Sequence, residues 1–210
     1  MKLAIIGSGN IGKSIGEWAS KINYQVIFSA KNELHAQEAA KAAGNHATSA
    51  SVHRAVESAD LILLALPYGA VKELLSDVGP LLKGKILIDA TNALTADYSG
   101  LMLGFTTSAA EEIAKLVPEA KVVKAFNTVF ATVYASQNPK IKGNQISVFY
   151  AGDNEEAKAK VAELITKMGF DAVDAGPLKA ARNLEPMALL NISLGYGLGH
   201  GPNIGFSFIR

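Results

Sequence analysis

Residues 3–12 read L-A-I-I-G-S-G-N-I-G, an apolar run that breaks straight into Gly7, Gly9 and Gly12. Lys2–Ile6 is β-branched and apolar enough to be a strand, and Ile11–Lys21 can continue as a helix. In that context the glycines have separate tasks. Gly7 permits a tight turn, Gly9 lets backbone approach a pyrophosphate, and Gly12 lets the helix pack close to the strand, so that its positive N-terminus faces the phosphates. The plainer alternative is a glycine-rich turn with no ligand. The placement between a strand and a helix favours the dinucleotide.

The next strand candidate, Gln25–Phe28, ends about 20 residues past the glycines, where a carboxylate usually meets the ribose 2′-hydroxyl of NAD. Ser29-Ala30-Lys31-Asn32 stands there instead. A carboxylate would repel a 2′-phosphate, whereas a hydroxyl and an ammonium hold it through charge-assisted hydrogen bonds, which favours NADP(H). Lysine grips phosphate as a point charge, without the fork of arginine, and a solvated surface lysine is the alternative for Lys31.

The whole chain of 210 residues is 49% apolar and 19% charged, with a net charge of +1 and no cysteine. That composition suits one large soluble α/β domain and gives no sign of nucleic-acid or membrane partners. Without cysteine there is no disulfide framework, thiolate metal site or redox dithiol. Met1-Lys2 runs directly into the first strand and the apolar runs fall short of a membrane span, so the expected location is cytoplasmic.

Strand and helix patterns alternate along the chain, which predicts a doubly wound, Rossmann-type α/β sheet, mostly parallel. Helices are expected at Glu33–Ala43, Ser51–Ala59 and Val71–Val78, and strands at Leu61–Leu66, Ile86–Asp89, Lys121–Phe126, Ile146–Ala151 and Ala172–Asp174. Ser108 with Glu111, and Asp153 with Glu156, have the spacing of capping boxes. After Asp153, Ala157, Val161, Leu164, Ile165 and Met168 fall on one helical face. Leu178–Leu194 reads as a last helix interrupted at Pro186, giving one domain over 1–194 and a glycine-rich tail over 195–210. With strands continuing to about residue 174 there is no room for an all-helical second domain, so a substrate must bind at the strand ends of the same domain.

Further blocks are K-I-L-I-D-A-T-N at Lys85–Asn92, V-V-K-A-F-N-T at Val122–Thr128, D-A-G-P-L at Asp174–Leu178 and A-R-N-L-E-P at Ala181–Pro186. With G-S-G-N-I-G-K-S-I-G they resemble the NADPH-dependent F420 reductases, and likewise the cytosolic oxidoreductase domain of six-transmembrane metalloreductases. The resemblance implies NADP(H) on the glycine turn and a flavin-like ring stacked on the nicotinamide, with F420, FMN or FAD as the acceptor, in a homodimer. It implies that Ser8, Gly9, Asn10 and Ile11 line the pyrophosphate, that Ser29, Lys31 and Asn32 meet the 2′-phosphate, and that Leu66 and Pro67 border the path to the nicotinamide. It also implies that Asn127 and Thr128 floor the ring pocket, with Val129 and Ala131 beside it. No catalytic side chain is singled out, because direct hydride transfer is governed by approach and orientation.

Two lysines sit in motifs with known chemistry elsewhere. Tyr68 and Lys72 have the Y-x-x-x-K spacing of short-chain dehydrogenases, but they follow a strand immediately and read as a helix start, with Tyr68 available as an aromatic wall. Lys124 and Asn127 form K-x-x-N, and strand alternation is expected to point them to opposite faces. Asp89 and Asp174 read as turn and cap residues. His35, His46, His53 and His200 lack ligand spacing, so no metal is expected. His200 lies in the tail with Tyr196 and Phe206, where the tail could serve as a lid, reach across a dimer or be a loose terminus.

Overall fold

The computed structural model describes every residue except Asn45. The elements follow as β1 (Lys2–Ile6), α1 (Asn10–Lys21), β2 (Gln25–Ser29), α2 (Glu33–Ala43), β3 (Ala47–Ser49), α3 (Val52–Ser58), β4 (Leu61–Leu64), α4 (Val71–Val78), β5 (Ile86–Asp89) and α5 (Ala109–Leu116). Then come β6 (Lys121–Ala125), α6 (Ala131–Ser136), the small ladder β7 (Lys140–Ile141) with β8 (Asn144–Gln145), β9 (Ser147–Gly152), α7 (Glu155–Lys167), β10 (Asp171–Asp174) and α8 (Ala181–Ile192). The eight-stranded sheet runs β10-β9-β6-β5-β4-β1-β2-β3. Every neighbouring pair is parallel except β6 with β9, where Lys124 faces Ala151. The chain winds outward from β1 to β3 and then returns to β4 on the other side of β1. That reversal opens a crevice at the carboxyl ends of β1 and β4.

Alternation along the strands feeds two cores. Leu3, Ile5, Leu61, Leu63, Ile88 and Val123 face the side covered by α1, α2, α6 and α7. Ala4, Ile6, Ile62, Leu64, Leu87 and Val122 face α3, α4, α5 and the start of α8. Both faces being apolar is what a buried, mostly parallel sheet requires.

Three expectations change. Asp153 does not cap α7: the cap is Asn154, whose side chain accepts from the Ala157 N–H at 2.9 Å, while Asp153 accepts from the Leu178 N–H at 2.9 Å. The final helix runs unbroken through Pro186, and its irregularities lie at its ends, in a 3-10 turn at Leu178–Ala180 and a π turn at Ser193–Gly197. Alternation also fails at the end of β6. Phe126 has φ 67°, so its ring joins the α6 side of the core and Asn127 swings to the α8 side that Lys124 faces. A left-handed aromatic residue is strained by about 1–3 kcal/mol. Tyr134 supports it, donating to the Phe126 carbonyl at 3.1 Å with its ring edge-on to Phe126.

The glycine-rich tail is tied down rather than loose. Because β9 is antiparallel to β6, Ser147 lies at the same end of the sheet as the crevice. The Ser147 N–H donates to the Phe206 carbonyl at 2.9 Å, Thr132 donates to the Pro202 carbonyl at 2.8 Å, and Arg210 reaches Asp171 at 2.9 Å. Tyr196 stands edge-on to Phe130, with ring centroids 5.3 Å apart. The tail thus packs beside α6 and the start of β9, and His200 is exposed.

Candidate functional site

The glycine turn divides by physical cause. Gly7 has φ 105°, and a Cβ there would overlap the Ala65 carbonyl. A Cβ on Gly12 would overlap the Gly7 carbonyl oxygen and come within 3.1 Å of the Ala65 Cβ. Those two positions need glycine for the protein's own packing. Gly9 does not: it is extended, and a Cβ there would meet nothing within 4 Å. It is the N-cap of α1, and no side chain caps that terminus. Bare backbone and uncapped N–H groups therefore face open space, the arrangement that receives an anion at a helix N-terminus. Within the same turn Ser8 Oγ is buried and has no hydrogen-bond partner among the described residues. Asn10 is exposed and Ile11 half-buried.

Beside the turn, the Gly7 N–H donates to the Ser29 carbonyl at 2.8 Å, which fixes the end of β2 next to the end of β1. Ser29 is buried, whereas Lys31 and Asn32 are exposed. Asn32 Oδ1 is already used, accepting from the Leu34 N–H at 3.0 Å to cap α2. On the other side of β1, Leu66 is half-buried and Pro67 exposed. Tyr68 opens the 3-10 turn leading into α4 and is half-buried, while Lys72 is exposed. Burial, with Glu112, Glu185 and Asp89 nearby, raises the Tyr68 hydroxyl pKa, so it stays neutral.

The ends of β5 and β6 form a different kind of surface. Asn127 and Asn92 are reciprocally bonded: Asn127 Nδ2 donates to Asn92 Oδ1 at 3.0 Å, and Asn92 Nδ2 to the Asn127 carbonyl at 3.3 Å. Helix α8 closes over them, since Asn127 Nδ2 also donates to the Leu184 carbonyl at 3.0 Å and Asn191 Nδ2 to the Thr128 carbonyl at 3.1 Å. Three side-chain oxygens here are buried without partners among the described residues: Thr91 Oγ1, Asn127 Oδ1 and Thr128 Oγ1. Each unmet group costs about 1–3 kcal/mol. Val129 is packed in the core beneath this floor, and Ala131 is half-buried at the start of α6.

Under the floor lies a charge cluster that sequence patterning did not reveal. Lys124 is fully buried, and its Nζ donates to Asp89 Oδ2 at 2.9 Å, Glu185 Oε1 at 2.8 Å and the Thr91 carbonyl at 2.6 Å. Burial alone would push the Lys124 pKa down. Asp89 and Glu185 outweigh it, so the pKa is raised and the ammonium stays charged. Glu185 also accepts from the Ala109 and Ala110 N–H groups at 2.9 and 3.3 Å, placing its carboxylate on the positive N-terminus of α5. Asp89 keeps its expected turn role, accepting from the Thr91 N–H at 2.9 Å, and Asp174 likewise accepts from Gly176 at 2.8 Å.

Two concavities lie away from the crevice. One, of about 310 Å³, is at the amino ends of β4, β5 and β6 and is lined by Asp60, Lys85 and Lys121. The other, of about 520 Å³, lies between Phe105, Lys179 and Arg182, with Arg182 engaged by both oxygens of Glu111 at 2.7 and 2.9 Å. Among the described residues no group of three or more His, Asp or Glu side chains could hold a metal ion, and no helix is long and apolar enough to cross a membrane.

The chain is similar to several known proteins. Residues 2–93 match the family model described as NADP oxidoreductase, coenzyme F420-dependent. The F420-dependent NADP reductase of Methanocaldococcus jannaschii is 29% identical, with 92% of each chain covered. Metalloreductase STEAP3 of Rattus norvegicus is 32% identical over 90% of this chain, but the chain spans only 36% of that relative's length. Among solved structures, a provisional F420-dependent NADP reductase from Arthrobacter sp. FB24 superposes over the whole of both chains, with a TM-score of 0.86 and 28% identity. The chain is thus a homologue of NADP-dependent oxidoreductases, with their Rossmann-type fold.

Proposed function

We propose that this chain binds NADPH along the crevice between β1 and β4 and transfers hydride to a ring acceptor of the deazaflavin or flavin class. The observation that carries the proposal is Gly9: bare backbone and an uncapped helix N-terminus beside open space, between two glycines that internal packing explains. The turn Gly7-Ser8-Gly9-Asn10-Ile11-Gly12 holds the pyrophosphate. Lys31, with Ser29 and the free amide of Asn32, holds the 2′-phosphate by charge-assisted hydrogen bonds. Leu66 and Pro67 border the path between the halves, and the Asn127–Thr128 floor with Ala131 receives the ring end. Bound NADPH supplies the hydride. The chain's own part is to fix distance and orientation and to exclude water, and no side chain has to move a proton in a hydride transfer between rings.

The Methanocaldococcus jannaschii relative favours a deazaflavin of the F420 type as acceptor. The rat relative is named a metalloreductase, and a flavin acceptor that passes electrons on to a metal is the second reading. Anaerobic NADPH oxidation, followed in parallel with F420 and with FMN, tests both. Fast turnover with F420 alone establishes the first reading, and preference for FMN establishes the second. Tight NADPH binding with no turnover on either would overturn the enzyme reading in favour of a redox sensor.

A further inference from the structure

The buried charge cluster sits directly behind the end of the crevice assigned to the ring. Sheet order decides which end that is. With the pyrophosphate at β1 and the 2′-phosphate at the end of β2, the rest of the dinucleotide has to extend the other way, across β4, β5 and β6. Two to three strand spacings, about 10–14 Å, separate β1 from β5 and β6. The ring end therefore meets residues 91–92 and 127–128.

None of Asp89, Lys124 and Glu185 is exposed, so none can touch a ligand in this structure. What they hold is the floor. Thr91 is gripped at both ends of its backbone: its N–H donates to Asp89 and its carbonyl accepts from Lys124. Its neighbour Asn92 is joined to Asn127, and Asn127 to the Leu184 carbonyl of α8. The next residue of α8, Glu185, returns to Lys124 and to the start of α5. One ammonium thus joins β5, β6, α5 and α8, and the loop of contacts closes on the residues that carry the unpartnered oxygens.

We propose that Lys124, with Asp89 and Glu185, is a positioning unit that sets the floor under the ring end of the dinucleotide, an inference that rests on the dinucleotide reading above. Replacing buried ions by apolar groups of similar size is often harmless to stability, so stability alone gives a poor reason for three of them in one place. Holding Thr91 and Asn127 in one fixed arrangement gives a better one.

A binding comparison tests the unit without relying on turnover. The ligands are NADPH and 2′,5′-ADP, which carries only the adenosine-side half. In Lys124→Met the affinity for NADPH should fall about tenfold while that for 2′,5′-ADP stays within about twofold, because only the ring end loses its floor. Amide exchange at Thr91 and Asn127 should speed up in the same variant before any ligand is added. If Lys124→Met does not fold, Glu185→Gln keeps the side-chain volume and should show the same split at smaller size. Equal losses for both ligands, or no loss for either, would overturn the positioning role. Failure of the unmodified chain to bind NADPH would instead overturn the dinucleotide reading, and this unit with it.

Discussion

The two ends of the crevice are built on opposite principles. At the glycine turn the protein offers backbone and empty space: Gly9 has no neighbour for a Cβ, α1 has no side-chain cap, and Lys31 lies in solvent. At the β5–β6 end it offers side chains that are buried, mutually bonded and backed by three charges. On the proposed reading, one end recognises charge, which needs little more than donors and a helix N-terminus. On the same reading the other holds a ring at a set distance, which needs a rigid support. Anchoring and aiming are thus carried by different parts of the fold.

The largest effect should come from breaking the aiming end. Lys124→Met leaves two carboxylates facing each other in the core and should cost about 3–5 kcal/mol in urea unfolding. Replacing Asp89 by Asn and Glu185 by Gln in the same protein removes the charges, keeps acceptors for the Thr91, Ala109 and Ala110 N–H groups, and should recover much of that stability. If it does not, the cluster is a net source of stability rather than of placement.

At the anchoring end, the contrast between two glycines sharpens the comparison. Gly12→Ala places a Cβ on the Gly7 carbonyl and should destabilise by about 1–3 kcal/mol. Gly9→Ala should change stability by less than about 0.5 kcal/mol. Equal unfolding curves for the two variants would mean that the turn is not packed as described.

Charge at the adenosine end should matter less. Lys31→Asp should weaken NADPH binding about tenfold and leave NADH nearly untouched, as read by titration of each nucleotide. Parallel losses for both would remove Lys31 from the 2′-phosphate site.

The smallest effect lies outside the crevice. Arg182, assisted by Ser108 and opposed by burial, holds the Glu111 carboxyl below its usual 4.5. A lowered folded pKa contributes stability that is complete above the unfolded value and is lost as pH falls through the folded one. Glu111→Gln should therefore lie below the unmodified chain at neutral pH, and the two stability curves should converge as pH falls below about 4.5. A gap that persists at low pH would assign the difference to packing.

The strand, glycine turn and helix start of the proposed anchoring end were legible in the sequence because their constraints act within a few residues. A strand, a turn that only glycine can make and a helix start all fall inside residues 2–21. The aiming end was not, because its parts are far apart. Asp89 and Lys124 are 35 residues apart, Lys124 and Glu185 61, and only the pairing of β5 with β6 and the return of α8 bring them together. Alternation also misplaced Asn127, since nothing in A-F-N marks Phe126 as left-handed and the support comes from Tyr134. The α7 cap shows the same limit on a small scale. Asp153 and Asn154 are both good caps, and the Leu178 N–H, 25 residues on, takes Asp153 for itself.

The most direct measurement is a fluorescence titration of NADPH into the unmodified chain and into Gly9→Val, after their unfolding midpoints have been shown to agree. Saturable binding to the unmodified chain and none to Gly9→Val is the expected result, because the valine fills space that the protein leaves open and a pyrophosphate would occupy. Undiminished binding to Gly9→Val would contradict the assignment of the dinucleotide to this turn.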